Sequence, residues 1–160
     1  MIKAIIFDLD GVLVDTKQIH FKALNAALKK YKFKEISIDD HVKIFDGLPT
    51  IEKLKILQKK RGLLKKYFSR INNYKQKVTT EILKKNIKKN SKIVQIMKSL
   101  HGKYKIAVAT NAVNSTLKIC LNKLGISKYV DFKLSNEDII NPKPNPEIYL
   151  RIFIKFGIYP

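Results

Sequence analysis

The first hydrophobic run, Ile2 to Phe7, is apolar and rich in β-branched residues, stops at Asp8, and predicts a buried strand. From Thr16 to about Asn90 no second run of this kind occurs. Positions recur there at helical spacing instead: His20, Leu24, Ala27, Leu28 and Tyr31, then Ile51, Leu54 and Leu57, then Leu64, Tyr67, Phe68, Ile71, Tyr74, Val78 and Ile82. After the polar break Lys88-Lys89-Asn90-Ser91 the pattern becomes helix, strand, helix, strand, helix. Ile93, Ile96, Met97 and Leu100 make a helix face, Lys105 to Ala109 a strand, and Val113, Leu117, Cys120, Leu121 and Leu124 the next helix face. Gly125 stands where a C-cap belongs, Val130 to Leu134 predicts a short strand, and a loop from Asn136 to Pro146 leads into a last helix, Glu147 to about Phe156. Strands alternating with helices imply an α/β fold with a parallel sheet and helices on both faces. The expected organisation is a core of residues 1–15 plus 91–160, with a helical unit over residues 16–90 inserted after the first strand.

Composition narrows the setting. A chain of 160 residues, 45% hydrophobic, is long enough for one domain or for a core with a small accessory unit, and disorder is not expected. Cys120 is the single cysteine, so no intramolecular disulfide forms, and no His or Cys spacing suggests zinc. Asp8 and Asp10 interrupt the N-terminal run before it reaches signal-peptide length, and no apolar stretch is long enough to cross a bilayer. The expectation is a soluble cytoplasmic protein without a membrane partner.

The net charge of +20 is the compositional outlier. It fits nucleic-acid binding, an anionic membrane surface, or steering of an anionic substrate. The excess is Lys spread as singles and pairs, such as Lys29-Lys30, Lys59-Lys60 and Lys88-Lys89, rather than an Arg-rich block interleaved with aromatics. Solvated helix faces account for that pattern better than a nucleic-acid footprint does.

Candidate chemistry lies where open parallel sheets gather ligands, immediately after the strands. Asp8 and Asp10 follow the first strand, Thr110 and Asn111 the second, and Lys143 stands between two prolines after the third. Two carboxylates two residues apart can face one side and divide the work: one attacks phosphorus, the other protonates the leaving oxygen and later activates water. Gly11 permits a sharp turn near a phosphate. The Thr110 hydroxyl can donate to a nonbridging phosphoryl oxygen, and the Lys143 ammonium can neutralise charge gathering there. Mg²⁺ suits such hard oxygen ligands and would relieve repulsion between Asp8 and an anionic substrate. Singly, each feature has an ordinary reading: a turn or cap for the Asp-x-Asp pair, an N-cap for Thr110, a surface cation for Lys143. Their order and strand-end placement favour a site.

The run Asp8-Leu9-Asp10-Gly11-Val12-Leu13-Val14-Asp15-Thr16 resembles the first motif of haloacid dehalogenase-type phosphatases and β-phosphoglucomutases. Thr110-Asn111-Ala112 resembles the second motif, and Lys143-Pro144-Asn145-Pro146 the third. The resemblance covers nearly all of the chain and implies a three-layer Rossmann-like core with a helical cap. It implies Asp8 as nucleophile and metal ligand, and Asp10 as general acid/base with its carbonyl also on Mg²⁺. Thr110, helped by Asn111, would bind the phosphoryl group, and Lys143 would orient it and the nucleophile. His20 matches a histidine near the cap hinge. Phe45-Asp46-Gly47-Leu48-Pro49-Thr50 resembles the specificity loop, making Gly47, Thr50 and Lys53 candidates for substrate contact. Thr50 stands where mutases carry an arginine, which favours a phosphatase acting on a small phosphorylated metabolite, such as a sugar phosphate. Asp15 reads as a cap or hinge residue, Cys120 as core, and His41 and His101 as structural.

The family's fourth motif, an acidic pair after a fourth parallel strand, has no counterpart here; Glu137 and Asp138 precede the third motif. The expectation is therefore a C-terminally truncated core, with a weakened metal site and impaired activity. The first strand is then expected at an exposed edge, favouring self-association or a completing polypeptide. A catalytically impaired fragment or binding module, and a basic nucleic-acid-binding protein, stay open as other readings.

Overall fold

The computed structural model describes residues 1–159. They form two compact units, residues 1–15 with 84–159, and Thr16–Leu83. The second boundary falls within a helix rather than at the polar break near Asn90.

The first unit is built on a three-stranded parallel sheet in the order β1-β2-β3, with β1 at Ala4–Phe7, β2 at Lys105–Ala109 and β3 at Phe132–Leu134. Ala4 pairs with Lys105 and Phe7 with Val108, while Ala107 pairs with Phe132 and Ala109 with Leu134. Side chains alternate across a strand, so Ala107 and Ala109 share one face. They form a buried cluster with Leu134 and with Ile148 and Ile152 of the last helix, and Ile6, Phe132 and Phe156 pack against it. Ile106 and Val108 on the opposite face are fully buried too, which accounts for the unbroken apolar run of β2. The outer strands differ from it: β1 is only half-buried along its whole length and, among the described residues, pairs on one side alone.

Both outer strands are shorter than their hydrophobic runs. Ile2 is 70% exposed and lies ahead of β1. Before β3, Ser127–Tyr129 form a 3-10 turn, and Asp131 occupies the ladder: its backbone N–H donates to Ile106 O at 2.9 Å and its Oδ2 accepts from Ile106 N at 2.7 Å. A carboxylate in the place of a ladder carbonyl delays the strand until Phe132.

The second unit is helical. It contains α1 at Lys17–Lys30, the single turn α2 at Ile38–Asp40, a π-helical turn at His41–Phe45, α3 at Thr50–Arg61, a 3-10 turn at Lys65–Tyr67 and most of α4 at Phe68–Asn86. Leu24, Ala27, Leu28, Ile36, Phe45, Leu54, Leu57 and Ile71 are among its core residues. Asn25 ties the loop after α1 to the helix, with Oδ1 accepting from Ile36 N and Nδ2 donating to Ile36 O, both at 2.9 Å.

On α4 the buried stripe is Phe68, Ile71, Lys75, Thr79 and Leu83, so beyond Ile71 it runs one position further on than Tyr74, Val78 and Ile82. A lysine and a threonine therefore occupy buried positions that hydrophobic periodicity does not find. The chain returns to the first unit through α5 at Ser91–Leu100, α6 at Asn114–Leu124 and α7 at Glu147–Phe156. Met97 is the buried anchor of α5, whereas Ile96 is 53% exposed. Gly125 ends α6 in the left-handed conformation, φ +78°, with Ile126 N–H donating to Leu121 O at 3.1 Å. Among the described residues no helix is long and apolar enough to cross a membrane.

Candidate active site

Leu9 is fully buried, and the half-buried Asp8 and Asp10 flank it. Beyond them the chain turns back on itself. Gly11, at φ +81°, donates its N–H to Val14 O at 2.8 Å, while Leu13 and Val14 N–H groups both donate to Leu9 O at 3.0 Å. A residue with a Cβ is strained at that φ, which is why glycine stands there.

Lys143 reaches the same end of the sheet. Its Nζ lies 2.8 Å from Asp8 Oδ1 and donates to Ala109 O, at the end of β2, at 3.1 Å. Oδ1 of Asp8 also accepts from Leu9 N–H at 2.7 Å, so one carboxylate oxygen gathers both donors. The lysine side chain is only 14% exposed. The Asp8 side chain is 40% exposed, so solvent screens the pair from the carboxylate side.

Thr110 is fully buried at the end of β2, where its N–H donates to Leu134 O at 3.1 Å. Its hydroxyl donates to Asp10 Oδ2 at 3.2 Å and accepts from Ala112 N–H at 3.0 Å. Asn111, read from the sequence as a helper of phosphate binding, uses both ends of its carboxamide on the backbone of Lys143. Oδ1 accepts from Lys143 N–H at 2.9 Å and Nδ2 donates to Lys143 O at 3.0 Å.

Two acidic residues near the site are occupied as caps. Glu137 Oε2 accepts from Asn114 N–H at 2.8 Å, at the start of α6, and Asp138 closes a capping box by accepting from Ser135 N–H at 2.7 Å and Ser135 Oγ at 2.6 Å. A third acid, Glu147, organises the loop that carries Lys143. Its carboxylate accepts from Ile140 N–H at 3.0 Å and Asn141 N–H at 2.8 Å, and Arg151 Nε donates to it at 2.9 Å. The backbone hydrogen bonds from Ile140 and Asn141, assisted by Arg151 and the Asn141 side chain, bring its carboxyl down to about 2. Sequence reading treats Glu147 only as the start of a helix. The recoverable signal is a lone acid at a helix N-terminus, just after a proline-rich loop.

Cys120 is buried on α6; burial, reinforced by the charge of Asp10, pushes its thiol up to about 12, which makes it unreactive core. Among the described residues no group of three or more His, Cys, Asp or Glu side chains could hold a metal ion. The Asp8 carboxylate and the Asp10 backbone carbonyl are the two hard oxygen donors that follow β1. That set fits Mg²⁺ as a largely hydrated ion completed by substrate phosphate, not as a protein-enclosed one.

Gly47, Thr50 and Lys53 lie in the helical unit. Gly47 has φ +71°, Thr50 opens α3 after Pro49, and Lys53 is 6% exposed. Asp46 ahead of them pairs with Lys17 at 2.9 Å. Burial works against the charge of Asp46, yet the hydrogen bond and charge of Lys17 outweigh it and hold the carboxyl below its ordinary value. His20 Nδ1 and Lys75 Nζ are 3.3 Å apart. His41 has company that the sequence did not suggest. It is fully buried, its ring stacks at a tilt on Phe21 with centroids 5.3 Å apart, and neither ring nitrogen makes a hydrogen bond.

Comparison with known proteins gives the family of the chain. The haloacid dehalogenase-like hydrolase family profile matches residues 5–160. A phosphorylated carbohydrates phosphatase of Thermotoga maritima is 32% identical over a 161-residue alignment, covering 99% of this chain and 72% of that protein. A fructose-1-phosphate phosphatase of Escherichia coli is 25% identical, with 98% and 81% covered. Among solved structures, the β-phosphoglucomutase of Clostridium difficile superposes with a TM-score of 0.77 at 27% identity, over 99% of this chain and 72% of that one. With the profile spanning the sheet, the helical unit and all three strand-end motifs, the chain belongs to the haloacid dehalogenase-like hydrolase family.

Proposed function

We propose that this protein is a Mg²⁺-dependent phosphate monoester hydrolase, acting in the cytoplasm through an aspartyl phosphate on a small phosphorylated metabolite of the sugar phosphate class. The observation that carries the reading is the Asp8 carboxylate, fixed by Lys143 Nζ at 2.8 Å at the C-terminal end of β1, with Asp10 beside it under the Thr110 hydroxyl at 3.2 Å. The names of the Thermotoga maritima and Escherichia coli relatives support a phosphorylated sugar as substrate. A charge of +20 draws such anions in and needs no nucleic-acid partner.

The steps follow from the donors and acceptors. Lys143 anchors Asp8 through Oδ1, which directs Oδ2 to phosphorus. As the new oxygen–phosphorus bond forms, the bond to the leaving alkoxide breaks, and protonated Asp10 gives that oxygen its proton. Asp10, now a carboxylate, takes a proton from water, which attacks phosphorus; the aspartyl–phosphorus bond breaks, releasing inorganic phosphate and restoring Asp8. Lys143 opposes the charge that collects on the phosphoryl oxygens, and the Thr110 hydroxyl would join it once its single proton turns from Asp10 to the bound phosphoryl group. The Asp8 carboxylate and the Asp10 backbone carbonyl would hold Mg²⁺, which would supply the charge neutralisation that lets a carboxylate meet an anionic ester.

A generic aryl phosphate tests the reading. Hydrolysis that requires Mg²⁺ and disappears in Asp8→Asn supports it. A second reading is favoured by the lack of a three-carboxylate cluster among the described residues. It holds that the chain is a catalytically impaired member that binds phosphate esters without turnover. Binding of a sugar phosphate by calorimetry, with no hydrolysis at saturating Mg²⁺, selects that alternative.

A further inference from the structure

The Asn111 side chain contacts the Lys143 backbone at both its hydrogen-bonding groups, and the pairing spans 32 residues of sequence. Lys143 sits between Pro142 and Pro144, neither of which has an N–H to donate. Its own N–H is therefore the only backbone donor in the Pro142–Pro144 segment. That donor goes to Asn111 Oδ1 at 2.9 Å, and the carbonyl of the same residue accepts from Nδ2 at 3.0 Å. A carboxamide matches a peptide group donor for acceptor and acceptor for donor, so the pair fixes position and orientation together. A carboxylate has no donor, and a methyl has neither group.

The ammonium end is fixed separately, by Ala109 O at 3.1 Å and Asp8 Oδ1 at 2.8 Å. Both Ala109 and Asn111 flank Thr110 at the end of β2. The same three-residue stretch thus sets where Lys143 begins and where its charge ends.

We propose that Asn111 is a positioning residue for Lys143, and that its part in the reaction runs through the ammonium at Asp8 rather than through contact with the phosphoryl group. The inference rests on the hydrolase reading above and reassigns one residue within it. Losing the clamp lets the loop shift, and a displacement of about 1 Å at a reacting group lowers rate by about a hundredfold.

The test combines a double-mutant cycle with a measurement that needs no turnover. For aryl phosphate hydrolysis, Asn111→Ala is expected to lower kcat by tenfold to a hundredfold, on the order set by such displacements, with KM changed far less. Lys143→Met alone removes the charge. Asn111→Ala in that background is expected to add no further loss, because its effect has nothing left to act on. Losses that multiply would show that Asn111 meets the phosphoryl group itself and would overturn the proposal.

The independent measurement is the rate at which an amine-acylating reagent modifies Lys143, read by peptide mass spectrometry in the full chain. Lys143 is 14% exposed and ion-paired, so it is expected to be protected in the wild type and several-fold faster in Asn111→Ala, with other lysines unchanged. An unchanged rate would also sink the proposal. If the wild type hydrolyses nothing, the hydrolase reading fails while the labelling result still decides whether Asn111 positions Lys143. Asn111→Ser, which also loses the two-point pairing, serves both measurements should the alanine variant not fold.

Discussion

Thr110 Oγ1 donates to Asp10 Oδ2 at 3.2 Å across 100 residues of sequence, joining the end of β2 to the turn that follows β1. The same hydroxyl accepts from Ala112 N–H at 3.0 Å, so Thr110 is held from two sides inside a fully buried environment. Thr110→Val keeps the shape and removes both bonds. Stability is expected to fall by about 1–3 kcal/mol, because the Ala112 N–H is left without that acceptor. Aryl phosphate turnover is expected to fall on the order of 10²-fold, the usual loss for one preorganised donor. Urea unfolding and steady-state kinetics on one preparation measure the two effects.

Asp10→Asn separates the two carboxylates. An amide beside Thr110 can still hydrogen-bond but cannot give up a proton to a leaving alkoxide. The expected loss is about 10²–10⁴-fold for a substrate with a poor leaving group. In the step that forms the aspartyl phosphate, read as the burst of leaving group, the loss should be much smaller for an aryl phosphate whose leaving group needs no proton, since the later hydrolysis with Asp10 as base is common to both. Equal losses on both substrates would remove Asp10 from the acid role.

Glu147 gives a pH test of the loop that carries Lys143. Its folded value is depressed from 4.5 to about 2 by the N–H groups of Ile140 and Asn141, with help from Arg151 and the Asn141 side chain. A carboxyl held low in the folded state stabilises fully above 4.5, and that contribution fades as pH falls from 4.5 towards 2. Thermal unfolding followed between those limits should show a steeper acid loss in the wild type than in Glu147→Gln. Parallel curves would show that the brace adds nothing to folding.

The sheet core and the strand-end positions of Asp8, Asp10, Thr110 and Asn111 are legible because both depend on local pattern. A buried parallel strand is an unbroken apolar run, as at Ile106 to Ala109, and the residue after it lies at the ligand-bearing edge. What escaped depends on partners distant in sequence. The Asn111 clamp needs the path of the Asn136 to Pro146 loop, and Glu147 reaches back to Ile140 only because that loop curls over the start of α7. The buried stripe of α4 escaped for a different reason. Tyr74, Val78 and Ile82 and the neighbouring Lys75, Thr79 and Leu83 fit the same helical period, and hydrophobicity favours the first set although burial follows the second. Asp131 shortened β3 by a side-chain hydrogen bond that no strand propensity encodes.

His41 predicts acid sensitivity of the helical unit. Burial is the main cause that lowers its pKa from 6.5; Lys53 and His20 act in the same direction, while Asp46 and the Lys17 backbone oppose them. The fold favours the neutral ring, and the unfolded chain protonates more readily. Its contribution is therefore complete above 6.5 and is lost as pH falls below that value. His41→Phe keeps an aromatic ring against Phe21 and removes the titration. The variant should lose less stability than the wild type between pH 7.5 and pH 5 in urea unfolding monitored by circular dichroism.

The edge of β1 gives the last prediction. Among the described residues Ala4–Phe7 pairs with β2 alone, and every residue in it is half-buried rather than covered, so the other side of the strand presents N–H and C=O groups to a further strand. Native edges are usually blunted by charge, proline or a bulge. Here the strand itself, Ala-Ile-Ile-Phe, carries none of the first two, and Lys3 stands ahead of it. A charge of +20 opposes association of two copies, and salt screens that repulsion. Light scattering should therefore give a mass above the 18.5 kDa monomer that grows with both protein concentration and ionic strength. Ile5→Lys places a charge within the edge and should return the mass towards 18.5 kDa. A monodisperse monomer at all salt concentrations would show that this edge does not drive self-association.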